Sequence, residues 1–197
     1  MEVGNSILAL KRTRYPCQIK GEASIQHMLL TYYLNENGMD IKDLKVSAMK
    51  VPSMNDALKT GKIDGMITFE PYVSIAEKNG ATVLAGSQDI LPEHPCCVVA
   101  ATDKFIESHP NETAKILKIH ENATDFINTN TDEAAGLLPK DIVSDVEVEK
   151  VSMSSFPFIS GLDDDYKQSV MDFMELEVDL GILKKPLSED QIFWQGS

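Results

Sequence analysis

Two stretches of this sequence have residue types and spacing suited to holding a small molecule: "GEASIQHMLLTYYL" (21–34) and "TFEPY" (68–72). In the first, Ser24 stands where an N-cap belongs. The helix behind it would aim unpaired backbone N–H groups across Gly21, Glu22 and Ala23, and such a terminus attracts anions. In the second, Phe69 and Tyr72 can flank an organic body while Glu70 accepts hydrogen bonds from it. Plainer roles are open to each: Ser24 as an ordinary cap, Glu70 as the cap of its own helix, Tyr72 as core. "EHPCC" brings His94, Cys96 and Cys97 close in sequence, which raises a metal site. Neighbours on a strand face opposite ways, however, and no C-x-x-C or H-x-x-x-H partner is present, so the expectation is two buried cysteines and no metal. His27, at the third position of the first helix, either donates toward a ligand or faces solvent. His109 and His120 read as surface residues. No G-x-S-x-G elbow accompanies Ser24, so nucleophilic catalysis is not indicated, and no cofactor motif is found.

These stretches need elements to position them. Ile25, Met28, Leu29, Tyr32 and Tyr33 recur at helical steps, and with Gly38 as a stop the spacing predicts a helix over about 24–37. From Lys45 to Val83 strand and helix alternate at the short spacing of a parallel α/β sheet. "LKVSAMKV", "KIDGMITF" and "ATVLAG" read as strands. "SMNDALKTG" reads as a helix boxed by Ser53 and Asp56 and stopped by Gly61, and "EPYVSIAEKNG" as a helix started by Pro71 and ended by Gly80. In such sheets a ligand sits beyond the carboxyl ends of the strands, near Gly21, Val51 and Thr68. After "SQDILPEHP", a connecting stretch, "CCVVAA" reads as a buried strand. The rest is mostly helix, with Thr102 and Thr131 as caps, a long helix from Pro110 carrying Ile116, Ile119, Ala123, Phe126 and Ile127 near one stripe, and an amphipathic helix from about 163 to 181.

The totals bound the answer. A chain of 197 residues, 43% hydrophobic and 25% charged, has the composition of a globular protein. Its 18 basic and 31 acidic residues give a net charge of -13, which opposes binding to nucleic acid or anionic lipid. Three cysteines make no disulfide framework, and nine methionines scattered through apolar stripes read as core filling. No apolar run reaches the ~18 residues of a membrane span. The start "MEVGNSILALKRTR" lacks the pattern of a secretory signal, which as written predicts a cytoplasmic chain.

The order of "GEASIQHMLLTYYLNENGMD", "VPSMNDALKTGKIDGMITFEPYVSIAEKNGATVLA", "LPEHPCCVVAATDKFIESHP", "ATDFINTNTDEAA" and "LGILKKPL" resembles the substrate-binding proteins of ABC transporters for nitrate, sulfonates, taurine and thiamine-precursor pyrimidines. The most specific element is a G-x-x-S helix start followed by "GKIDG" and "FEPY". The resemblance implies an α/β fold of the type II periplasmic-binding-protein kind, two lobes closing on a solute, here one nearly complete lobe plus a partial, mostly helical second one. Residues 14–93 would form the α/β lobe, with 1–13 and 94–197 supplying the remainder of the first lobe and the C-terminal helices. The likeness further implies that Ser24 and Gln26 match the helix-start contacts and Phe69, Glu70 and Tyr72 the second cleft loop. It implies an extracytoplasmic, membrane-associated, non-enzymatic protein with a small anionic or zwitterionic solute and a transporter permease as partners, and no cofactor. The chain looks N-terminally truncated against that pattern, which would leave apolar edges that favour self-association. Two alternatives stand beside this reading: an enzyme of the same fold acting on a pyrimidine or aromatic acid, with His27, Glu70 or His94 as base, and a cytosolic ligand-sensing domain.

Overall fold

Three short parallel strands carry the sheet, β1 (Pro16–Ile19), β2 (Lys45–Ala48) and β3 (Gly65–Met66), in the order β2-β1-β3. The computed structural model describes residues 16–19, 24–139 and 145–194. Pro16 to Ile19 pair in step with Lys45 to Ala48, and Cys17 and Gln18 with Gly65 and Met66. Helix α1 (Ile25–Glu36) joins β1 to β2, helix α2 (Val51–Lys59) joins β2 to β3, and α3 (Tyr72–Lys78) follows. Because right-handed crossovers running in opposite senses along the sheet cover opposite faces, α1 and α2 lie on different sides of it. Accordingly α1 packs with the short helix α4 (Ser87–Ile90), and α2 with α3.

Helix α1 follows its sequence closely. The Ser24 hydroxyl accepts from His27 N at 3.3 Å. At the other end Gly38, with φ of 69°, lets Gly38 N donate to Asn35 O (2.9 Å) and Met39 N to Leu34 O (2.8 Å), a Schellman ending. That ending turns Met39 back onto Leu34, and both join Leu44 in a buried cluster. The same hydrogen-bond pattern closes α2 at Gly61 and α3 at Gly80.

Two compact units divide the chain, Met1–Pro95 with Asp164–Ser197, and Cys96–Asp163. The first unit also contains α9 (Asp164–Asp179) and α10 (Glu189–Ile192). In the second, the described elements are all helices: α5 (Asp103–Ser108), α6 (Pro110–Thr129), α7 (Thr131–Leu137) and α8 (Val146–Ser154). No described helix is long and apolar enough to cross a membrane.

Several expectations are corrected. "ATVLAG" forms no strand, and Val83 and Leu84 are exposed. β3 pairs over two residues only, leaving little template for a further strand at its outer edge. "CCVVAA" is neither strand nor buried: Val98 and Val99 are 65% and 52% exposed, and both cysteines are exposed. Apolar, β-branched content makes a strand only beside a partner ladder. The Ser53–Asp56 box is absent because α2 begins earlier, after Lys50, with Pro52 in its first turn. Asn130, not Thr131, is the N-cap position of α7, and the Thr131 hydroxyl donates back to Ile127 O at 2.9 Å. Along α6 the stripe is not buried as a whole, since Ile116 and Ile119 are exposed while Thr113 and Thr124 are covered.

Candidate functional site

The strand order decides where a ligand can enter. The chain passes from β1 outward to β2, then returns across β1 to β3, so the connections after β1 and after β3 lead to opposite faces, the arrangement in which α/β sheets place a ligand beyond the strands' carboxyl ends. Ser24 and the first turn of α1 follow β1, and Ile67 to Pro71 follow β3. Parallel pairing of Gln18 with Met66 makes both connections leave the same end of the sheet. Gly21, Glu22 and Ala23, the stretch that the first-turn donors of α1 would face, lie outside the described residues.

On the α1 side, Ser24 caps the helix through its hydroxyl and Gln26 sits in the first turn, 8% exposed. His27 follows at the third helical position, half-buried.

On the β3 side the turn is tight. Tyr72 N donates to Phe69 O at 3.1 Å, and the Glu70–Pro71 peptide is cis. This folding brings the Phe69 and Tyr72 rings edge to face, centroids 5.7 Å apart and planes at 84°. They therefore make one aromatic wall rather than two jaws around a ligand. Glu70 takes up its plainer role, its Oε2 accepting from Ser74 N at 3.0 Å in the first turn of α3. Asn55, on α2, donates from Nδ2 to Tyr72 O at 3.1 Å and ties the aromatic turn to the helix behind it.

Two polar atoms here were not anticipated from sequence. The Thr68 hydroxyl, in the first residues after β3, and Asn55 Oδ1 are both buried with no hydrogen-bond partner among the described residues. Buried polar groups are nearly always paired, so an orphan in a crevice loop marks a place where a water or ligand group completes the set. Their only sequence signal was position: Thr68 at a strand's carboxyl end, Asn55 on α2, the helix that precedes that strand.

His94 Nδ1 lies 2.8 Å from Leu91 O and its ring stacks on Phe173 of α9, which fits it for structure. Cys96 and Cys97 place their sulfurs 3.6 Å apart, contrary to the opposite facing expected of a strand. Among the described residues no three His, Cys, Asp or Glu side chains converge to hold a metal ion.

The sequence model of the NMT1-like family matches residues 8–138, more than half of the chain. The chain belongs to the NMT1-like family. Among relatives, a putative aliphatic sulfonates-binding protein of Bacillus subtilis is 29% identical over 137 residues, covering 66% of this chain and 41% of that protein. A nitrate import ATP-binding protein, NrtC, of a Synechocystis species is 29% identical over 126 residues, 60% of this chain and 19% of its own length. This NMT1-like chain thus spans less than half of either relative. Two solved structures share its fold at 17% identity. The ligand-binding component of an ABC-type import system from Staphylococcus aureus, crystallised with zinc bound, has a TM-score of 0.74 over 89% of this chain and 60% of that one. The periplasmic aliphatic sulphonate binding protein SsuA from Escherichia coli has a TM-score of 0.73 over 95% and 61%. The fold is therefore α/β of the periplasmic-binding-protein kind, and this chain carries part of it.

Proposed function

We propose that this NMT1-like chain is a non-enzymatic solute-binding component of an ABC importer. Its solute is a small organic anion or zwitterion of the sulfonate, taurine, nitrate or pyrimidine type, and its partner a membrane permease. The observation that carries the reading is the end of the sheet that the connections toward α1 and α3 both leave, where the Thr68 hydroxyl is buried and unpartnered among the described residues. Ser24, Gln26 and the first amides of α1 would receive the anionic head. Phe69 and Tyr72 would cover the organic body, and Glu70 would hold the turn while its carboxylate accepts from the solute. The sulfonate- and nitrate-linked relatives and the two ligand-binding structures support the solute class. Because E. coli SsuA is periplasmic, an extracytoplasmic site of action belongs to the same proposal.

The overall charge of -13 repels anions at long range, so capture falls to local donors, which act at short range and resist screening by salt. Isothermal titration against taurine, alkanesulfonates, nitrate and pyrimidines tests the reading. One class should bind saturably, and Ser24→Ala and Tyr72→Ala should each weaken it about tenfold, the loss of roughly 1.4 kcal/mol that one good polar or aromatic contact supplies. Binding by none of the panel, or affinity unchanged in both variants, overturns the site. Conversion of the bound solute to product would replace the binding protein with an enzyme.

A further inference from the structure

The cysteine pair at the start of the second unit has no part in the proposed solute site. We infer that Cys96 and Cys97 form a vicinal dithiol that closes reversibly to an intramolecular disulfide when it meets a small-molecule disulfide. In a regular strand neighbouring side chains point to opposite faces, which would hold the sulfurs well apart. Here 95–102 forms no strand, and the two sulfurs approach to 3.6 Å. A disulfide bond is about 2.05 Å long, so closure needs roughly 1.5 Å of further approach; because adjacent Cα atoms stand only about 3.8 Å apart, short of the usual span of about 4.4–6.8 Å, the eight-membered ring that forms is strained and readily reduced. Both residues are exposed free thiols, open to a reagent from solvent.

The chemistry closes in two exchanges. One cysteine thiolate attacks the external disulfide RSSR, forming a mixed disulfide and releasing RS⁻, which takes up a proton. The neighbouring thiol then loses its proton and attacks the cysteine sulfur of that mixed disulfide, releasing the second RS⁻, again protonated. The two cysteines are oxidised by two electrons and RSSR is reduced to two RSH. Lost hydration, together with the Cys97 sulfur, pushes the Cys96 thiol up to about 11, so little of it is thiolate at neutral pH.

The test uses the full chain carrying Cys17→Ser, with the unsubstituted chain beside it, each treated with oxidised glutathione, quenched with N-ethylmaleimide and mapped by mass spectrometry. The peptide holding Cys96 and Cys97 should lose two hydrogens, retain no glutathione, and regain two alkylatable thiols after dithiothreitol. In Cys97→Ser, where no ring can form, one glutathione should remain on Cys96. Two stable glutathione adducts on one peptide, two thiols still alkylated after treatment, or a disulfide between two chains would each overturn the inference.

Discussion

Thr68 shows how one atom can separate binding from stability. Its hydroxyl is buried and unpartnered among the described residues, so Thr68→Val removes an unsatisfied group while conserving shape, and the fold should be unchanged or more stable by up to about 1 kcal/mol. If a solute supplies the missing partner, the same substitution should weaken binding about tenfold or more. Thermal melts and titrations on one variant read both effects, and equal affinity would remove Thr68 from the site. The Ser24 cap and the turn that carries Phe69 and Tyr72 were legible, because a cap residue and aromatics after a strand are local patterns. Thr68 and Asn55 were not, because their interest lies in partners they lack in space. The cysteines were misread for a related reason: the geometry assumed for Cys96 and Cys97 was that of a strand which no neighbouring ladder supports.

At the scale of elements, what the sequence declares is termini. Gly38 at φ of 69° allows the ending that folds Met39 onto Leu34, and Gly38→Ala should cost about 1 kcal/mol through the left-handed backbone alone, read as a lowered Tm with the fold retained. No steric clash confuses the result, since a Cβ at Gly38 meets nothing within 4 Å. Helix α9 carries an opposite liability. Burial raises the Glu177 carboxyl above its ordinary value, and its place in the last turns of α9 sets an anion against the helix dipole. A carboxyl raised in the folded state binds its proton more tightly there than in the unfolded chain. Its contribution to stability is therefore fullest below the unfolded value and declines as pH rises through the window up to the folded one. Glu177→Gln should accordingly raise Tm at pH 7 and lose that advantage below about pH 4. Helices with caps and stops were readable one at a time. The strands "ATVLAG" and "CCVVAA" were not, because a strand exists only by virtue of a neighbour that sequence periodicity does not reveal.

For the whole molecule, charge and apolar surface pull in opposite directions. A net charge of -13 keeps copies apart, while Val98, Ile119 and Val151 are each more than 60% exposed. Salt screens the first and leaves the second, so association with a second copy should grow between low salt and about 0.5 M, as sedimentation velocity would show. A monomer across that range would refute self-association. The α/β class was readable from alternating strand and helix, whereas the division of the chain was hidden, because a unit interrupted by a long insertion leaves no local mark. That interruption governs synthesis. The first unit departs at Pro95 and resumes at Asp164, and its buried Met174 and Phe193 come from the late segment. A ribosome must finish the whole intervening run of helices before those two side chains emerge. The first unit waits meanwhile with its last two helices untranslated, and stalling anywhere within 96–163 lengthens the time it is offered to chaperones.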